Sequence, residues 1–231
     1  MSSSPVNTNN MNTPQVNTLR VNTPREPLTL ALPKGRLQEQ AEEYLSARGF
    51  RIAFEKRKLV ATEESGAIRI MLVKNSDLPT YVHHGIAGLG ICGTDVIYES
   101  GFPFFNLMEM PFGSTRMCLA AREDFDPSTY TGTLRVATKF TRFARDYFAR
   151  NGIAAEVIRL GGSVELAPVL GLAPYIVDLV ETGNTLRAHN LAVVEELERV
   201  HVALIANPAY YKFHYRSVDA LVDTLNKEPE A

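Results

Sequence analysis

The feature that most constrains this chain is a plan written twice. Residues 28–32, Leu-Thr-Leu-Ala-Leu, make an apolar run of strand length, followed by the loop Pro33-Lys34-Gly35-Arg36. Leu37, Ala41, Tyr44 and Leu45 then fall on one face at helical spacing, and Gly49 supplies a stop. Residues 68–73 read as a second strand, Ser76-Asp77-Leu78-Pro79 as a helix start, and Gly85 as that helix's end. Residues 89–92 make a third strand that runs into Gly93-Thr94-Asp95. The order then recurs. Residues 134–138 are a strand, followed by Lys139 and Arg142; Phe143, Tyr147 and Phe148 make a helical face and Gly152 stops it. Residues 157–160 are a strand, Ser163 in Gly161-Gly162-Ser163 caps a helix that ends near Gly171, and residues 176–180 are the next strand. Gly85-Ile86-Ala87-Gly88 is paralleled by Gly171-Leu172-Ala173-Pro174.

Strands alternating with helices imply α/β architecture with mostly parallel sheets. Two copies of the plan imply two lobes, with the loops at the carboxyl ends of the strands facing a cleft between them. The expected layout is a first lobe at 27–112, completed by 208–231, and a second lobe at 113–207. Residues 104–121 carry the chain across.

Residues 1–26 are a different material. Val-Asn-Thr recurs at 6–8, 16–18 and 21–23 amid Ser, Asn and Pro. The segment has no apolar core of the kind a signal peptide needs, and too little apolar area to offset ordering entropy, so a disordered tail is expected. The formal net charge of -2 gives no electrostatic reason for a nucleic-acid partner. No apolar run reaches membrane-spanning length. Cys92 and Cys118 sit in apolar runs without metal-ligand spacing and read as buried free thiols of a reducing compartment.

The chemistry concentrates where the last strand of the second copy ends. Residues 175–186 read Tyr-Ile-Val-Asp-Leu-Val-Glu-Thr-Gly-Asn-Thr-Leu. Thr182, Gly183, Asn184 and Thr185 offer backbone N–H groups and two hydroxyls to a phosphate, with Asp178 and Glu181 beside them for hydroxyls or a metal. Carboxylates next to a phosphate cradle suit a sugar phosphate, and phosphoribosyl chemistry in particular; the competing reading is an ordinary strand-to-helix turn. Lys34 and Arg36 lie between a strand and a helix, where cations suit a pyrophosphate or simply a solvated turn. Arg57, in Lys56-Arg57-Lys58, belongs to a charge run of the kind that usually faces solvent. Glu165 either completes a first helical turn, where a carboxylate favours the dipole, or faces the cleft and meets a nucleotide. The five histidines show no metal-ligand spacing. There is no nucleophile elbow, Walker loop or dinucleotide fingerprint.

Taken together these residues resemble the ATP phosphoribosyltransferase family, which opens histidine biosynthesis. The resemblance rests on Ala31-Leu-Pro-Lys-Gly-Arg-Leu37, Asp77-Leu-Pro-Thr-Tyr-Val82, Arg135-Val-Ala-Thr-Lys139, Gly162-Ser-Val-Glu-Leu-Ala-Pro168, Ile176-Val-Asp-Leu-Val-Glu-Thr-Gly-Asn-Thr-Leu186 and Leu204-Ile-Ala-Asn207, in that order. It implies a two-lobed fold like the type II periplasmic binding proteins. It implies transfer of the phosphoribosyl group of phosphoribosyl pyrophosphate to N1 of ATP, with Mg2+ carried on the substrate pyrophosphate and no metal site on the protein. It assigns the 5-phosphate to Thr182, Gly183, Asn184 and Thr185, and the ribose hydroxyls to Asp178 and Glu181. It assigns the pyrophosphate to Arg36 and Arg57 with Lys34 in support, and the nucleotide to Glu165. Little sequence follows residue 212, so the resemblance is to the short form of the family. That form implies a cytoplasmic catalytic homodimer in a hetero-octamer with an allosteric regulatory subunit similar to histidyl-tRNA synthetase.

Three positions depart from the family pattern. Gly88 and Pro174 stand where the family commonly has Asp after each Gly-x-Ala triplet, and Thr94 stands where a Lys is usual. Two other readings compete. One is a non-enzymatic two-lobed module that closes on a small ligand; the other is a phosphoribosyltransferase with a different acceptor.

Overall fold

The structure, a computed structural model, describes residues 26–129 and 131–228. All of the tail expected at 1–26 except Glu26 lies outside the described residues. The chain runs β1 (Leu28–Pro33), α1 (Arg36–Ser46), β2 (Val60–Thr62), β3 (Ile68–Val73), α2 (Leu78–His83), β4 (Leu89–Gly93), α3 (Thr94–Ser100) and β5 (Phe105–Glu109). It continues as β6 (Thr115–Arg122), β7 (Leu134–Thr138), α4 (Thr141–Arg150), β8 (Ala155–Arg159), α5 (Leu166–Val169), β9 (Tyr175–Val180) and α6 (Asn184–Ala188), then β10 (Leu191–Val200), β11 (Val202–Ala206) and α7 (Pro208–Leu225).

These elements build two sheets, one per lobe. The first is six-stranded in the order β2-β3-β1-β4-β11-β5; the second is five-stranded in the order β10-β6-β9-β7-β8. The central pairs are parallel: β1 with β3 and β4, and β7 with β8 and β9. The remaining pairs are antiparallel, so both sheets are mixed rather than mostly parallel. The reason lies in the connections. Parallel pairing needs a long crossover, which the helices supply. β5, β6, β10 and β11 flank the passages between lobes; β6 and β11 enter against the direction of the helix-connected strands, and β10 and β5 pair antiparallel with them.

β11 shows how far this departs from the sequence expectation. Residues 202–207 were expected in the second lobe, with the return at Pro208. Instead all of β11 lies inside the first sheet, between β4 and β5. Its residues alternate in period two: Val202, Leu204 and Ala206 join the core under α1 and α7, while Ala203 and Ile205 join the core under α2. An apolar run buried on both faces carries no mark of which sheet will take it.

Asn207 then starts α7. Its Oδ1 accepts from the Ala209 and Tyr210 N–H groups at 2.9 and 3.0 Å, and its Nδ2 donates to the carbonyls of Val82 and His83 at 3.0 and 2.8 Å. One side chain thus caps a helix and ties it to the end of α2. At the other end, Tyr44 Oη on α1 and Arg48 Nε just beyond it both donate to the Leu225 carbonyl at 2.7 Å. In the second lobe, α4 lays Phe143, Ala144 and Phe148 against Met117, Val136 and Val177 of the sheet. Cys92 and Cys118 are buried free thiols, as expected. Ser163 does not cap a helix. It takes a left-handed φ of 49°, and the short α5 begins only at Leu166 without a side-chain cap.

The two passages between lobes run side by side. The Met110 N–H donates to the Val202 carbonyl at 2.8 Å. The Thr94 N–H donates to the His201 carbonyl at 2.8 Å, and Thr94 Oγ1 accepts from the His201 N–H at 3.2 Å. Thr94 therefore stitches the return strand to the end of β4.

Candidate functional site

The carboxyl ends of β1, β4, β7 and β9 converge on the cleft. Each delivers charged residues at or just after the strand end: Arg36 after β1, Asp95 after β4, Lys139 after β7, and Asp178 and Glu181 from β9. The Arg36 guanidinium, from the first lobe, meets the Glu181 carboxylate, from the second. Asp178 Oδ1 lies 3.4 Å from Lys139 Nζ. Thr138 holds this corner in place: its hydroxyl donates to the Val177 carbonyl at 2.6 Å and accepts from the Phe140 N–H at 2.9 Å.

Two cavities form the cleft. One, of ≈ 310 Å³, is lined by Arg36, Gln40, Asn75, Asp95, Thr115 and Glu181, among others. The other, of ≈ 620 Å³, is lined among others by Lys74, Thr80, Glu99, Lys139 and Arg159. Asn75, Asp95 and Leu179 line both, so the cavities adjoin. Asp95 is the buried charge between them, only 7% exposed. Burial pushes its carboxyl above the usual range. The Val96 N–H, the Lys139 ammonium and its own N–H pull the other way, and the Asp178 charge adds to the rise.

The expected phosphate loop follows directly on Glu181. Gly183 sits at the N-cap of α6 with φ 75°, a left-handed conformation that a side chain would strain. The first-turn N–H groups of α6 have no partner within the helix. Thr182, Asn184 and Thr185 are exposed. The Arg187 guanidinium, one turn along, donates to Asn184 Oδ1.

The structure thus pairs Arg36 with Glu181 and Asp178 with Lys139, and sets Thr182, Gly183, Asn184 and Thr185 directly after Glu181; Asp178 and residues 182–185 line neither cavity. It does not bring in the others. Lys34 is exposed, and only its backbone is fixed, with the N–H on the Val73 carbonyl at 2.9 Å. Arg57 is exposed at a left-handed φ of 67°. Glu165 lies 3.9 Å from His189 Nε2. None of these three lines either cavity. Conversely, sequence reasoning gave no role to Asp95, Lys139 or Arg187. A usable signal existed for the first two, because each follows a strand of the repeated plan directly. Two of the three departures lie away from the site. Gly88 and Pro174 precede β4 and β9, at the ends opposite the cleft. Gly88 is packed beneath Tyr210, whose ring would lie 2.1 Å from any Cβ placed there.

Two helix-flanked mixed sheets with a charged cleft at their strand ends define a two-lobed α/β protein of the type II periplasmic-binding-protein kind. At 12% identity, the aliphatic sulphonate binding protein SsuA of Escherichia coli shares that fold with a TM-score of 0.56, over 87% of this chain and 71% of that one. Sequence narrows the class. The profile of the family described as HisG, ATP phosphoribosyltransferase, matches residues 74–227, and the chain belongs to that family. The ATP phosphoribosyltransferase of Streptococcus gordonii is 43% identical over 188 residues, 80% of this chain and 87% of the relative. That of Bordetella pertussis is 40% identical over 214 residues, 88% of this chain and 96% of the relative. Among solved structures, the ATP phosphoribosyl transferase (HisG:HisZ) complex from Thermotoga maritima superposes with a TM-score of 0.75 at 35% identity, covering 86% of this chain and 96% of that one.

Proposed function

We propose that this chain transfers the phosphoribosyl group of phosphoribosyl pyrophosphate to N1 of ATP, releasing pyrophosphate in the first step of histidine biosynthesis. The observation that carries the reading is the pairing of Arg36 with Glu181, immediately ahead of residues 182–185, in a chain of this family. In this reading a pyrophosphate-neutralising cation on one lobe faces a phosphate-binding loop on the other.

In this reading the N–H groups and hydroxyls of Thr182, Gly183, Asn184 and Thr185 hold the 5-phosphate, and Asp178 and Glu181 accept from the ribose hydroxyls. Adenine N1 attacks the anomeric carbon with its own lone pair, so the N–C bond forms as the bond to pyrophosphate breaks and no strong base is needed. The protein's task is alignment and stabilisation of the departing charge. Arg36 neutralises that charge together with Arg57, and Lys34 supports them; Glu165 meets the nucleotide. The roles of Arg57, Lys34 and Glu165 rest on the family resemblance alone. Among the described residues no cluster of His, Cys, Asp and Glu could hold a metal. Magnesium carried by substrate oxygens, as the family resemblance implies, would lower the charge of the leaving pyrophosphate.

No helix among the described residues is long and apolar enough to cross a membrane; the cytoplasmic location is what the family resemblance implies. The Thermotoga maritima neighbour is a complex of HisG with HisZ. By that likeness the present chain forms a homodimer and joins a regulatory subunit similar to histidyl-tRNA synthetase in a hetero-octamer. The test is direct: purified chain, with and without that subunit, is mixed with ATP, phosphoribosyl pyrophosphate and magnesium. An adduct with new near-ultraviolet absorbance and stoichiometric pyrophosphate is expected. No adduct in either state would refute the enzyme reading.

A further inference from the structure

Helix α4 has no N-cap of its own. The residue before it, Phe140, offers no side-chain acceptor, and the helix starts without a cap from its own sequence. The cap comes from the other lobe. The Glu99 carboxylate, on α3, accepts from the Arg142 N–H with both oxygens at 3.0 Å and from the Phe143 N–H at 3.2 Å. It also accepts from the Thr141 hydroxyl at 3.1 Å. Beside it, Tyr98 Oη donates to Asp146 Oδ2 at 2.7 Å, and the Tyr98 ring meets Phe143 edge-on at 5.9 Å. A carboxylate at a helix N-terminus is favoured by capping and by the dipole together.

This contact differs in kind from an ordinary cap. When a local residue caps a helix, domain motion leaves the cap intact. Here separation of the lobes strips α4 of its acceptor. Lys139 and Phe140 lead directly into α4, and Lys139 holds Asp178. Glu99 and Lys139 also line the same cavity of the cleft. The cap therefore connects lobe angle to the position of a site residue.

We propose that Glu99 is a positioning residue that latches the two lobes in the closed arrangement by capping α4 from the opposite lobe. It touches no reacting atom. It raises the fraction of molecules whose cleft is assembled before substrate arrives, and apparent affinity scales with that fraction.

The test measures lobe separation without relying on activity. Cys92 and Cys118 are buried, so spin labels can be placed on Glu43→Cys in the first lobe and Glu156→Cys in the second, both exposed positions. Distance distributions are recorded by double electron–electron resonance for the doubly labelled chain and for the same chain with Glu99→Ala or Glu99→Gln. The latch requires a longer-distance population in Glu99→Ala, a smaller one in Glu99→Gln, which keeps one acceptor oxygen, and its reduction by phosphoribosyl pyrophosphate. In steady-state assays of the unlabelled enzyme, the KM for phosphoribosyl pyrophosphate should rise about 10-fold in Glu99→Ala while kcat changes less than about 3-fold. Tyr98→Phe, which removes only the Asp146 bond, guards against a folding failure at Glu99 and should move the distribution the same way. An unchanged distribution in folded Glu99→Ala, with only a lowered melting temperature, would reduce Glu99 to a structural cap and overturn the latch.

Discussion

Arg36 and Glu181 join the two lobes across the cleft although their side chains remain 57% and 48% exposed. An ion pair that open to water is worth only about 0.2–1 kcal/mol, too little to count as a prop for the fold. Its value lies in placement. On the proposed function, each partner holds the other where a substrate group of opposite charge or matching hydrogen bonds would take over.

Arg36→Ala should lower kcat by about 100-fold while changing the KM for ATP less than about 3-fold, because in the proposed reaction the guanidinium acts on charge that develops as pyrophosphate departs. Steady-state kinetics with each substrate varied would check this. A matching loss of ATP affinity with unaltered turnover would assign Arg36 to ground-state binding instead.

Gly183→Ala should weaken binding of phosphoribosyl pyrophosphate about 10-fold and lower the melting temperature by about 2–8 °C, since a left-handed φ costs an L-residue about 1–2 kcal/mol. The added methyl would also sit 3.2 Å from the Arg187 guanidinium. Gly183→Asn, which tolerates that φ better, should fall between the two. Calorimetric titration of the substrate separates this ordering from a uniform loss.

Asp95 should act as a stability cost that depends on pH. Burial lifts its carboxyl above the usual range, so the folded state holds its proton to higher pH than the unfolded chain does. The destabilisation is absent at low pH, where both states are protonated, and grows as pH rises through the folded pKa. Asp95→Asn should therefore melt higher than the parent at neutral pH, with the gap closing in acid, while activity falls. Melting curves across pH 3–8, an interval of roughly this breadth being needed to span the titration, would show the reverse gap if Asp95 were a stabilising charge.

Glu63 runs in the opposite direction. Burial alone would raise its carboxyl, but the Ser65 hydroxyl and the N–H groups of Ser65, Ala67 and Ile68 outweigh it and hold it below the usual 4.5. Those contacts lie at 2.5, 2.9, 2.6 and 3.3 Å. The stabilisation is present above the unfolded value and disappears as pH falls through the folded one. Glu63→Gln should cost about 2 kcal/mol at neutral pH and progressively less in acid. A pH-independent difference in melting temperature would show that shape, not charge, holds this turn.

Much of this was legible because the repeat carries periodic signals. The strands ending near Pro33, Gly93, Thr138 and Val180 and the helical face of Phe143 and Phe148 follow from local pattern, as does the Gly183 loop. What escaped was non-local. Val202 to Ala206 reads as a strand in either lobe, and only pairing with β4 decides. The ten-residue β10 is largely exposed, and its charged residues, Glu195, Glu196, Glu198 and Arg199, interrupt any apolar alternation. Arg36 and Glu181 were each legible as site candidates, but their contact needs the lobe angle. Glu99 gave no signal at all, since its acceptor role is defined by a helix start in the other lobe.

The place of β11 also orders events during synthesis. The second lobe is one unbroken stretch, whereas the first sheet has a vacancy between β4 and β5 that is filled only from beyond the second lobe. A ribosome must therefore release nearly the whole chain before the first lobe can close, although its residues emerge first. Until then β4 presents an unpaired edge of buried character, including Ile91 and Cys92, and is exposed to mispairing. The later-made lobe is the one able to fold at once, and the earlier-made lobe waits for it.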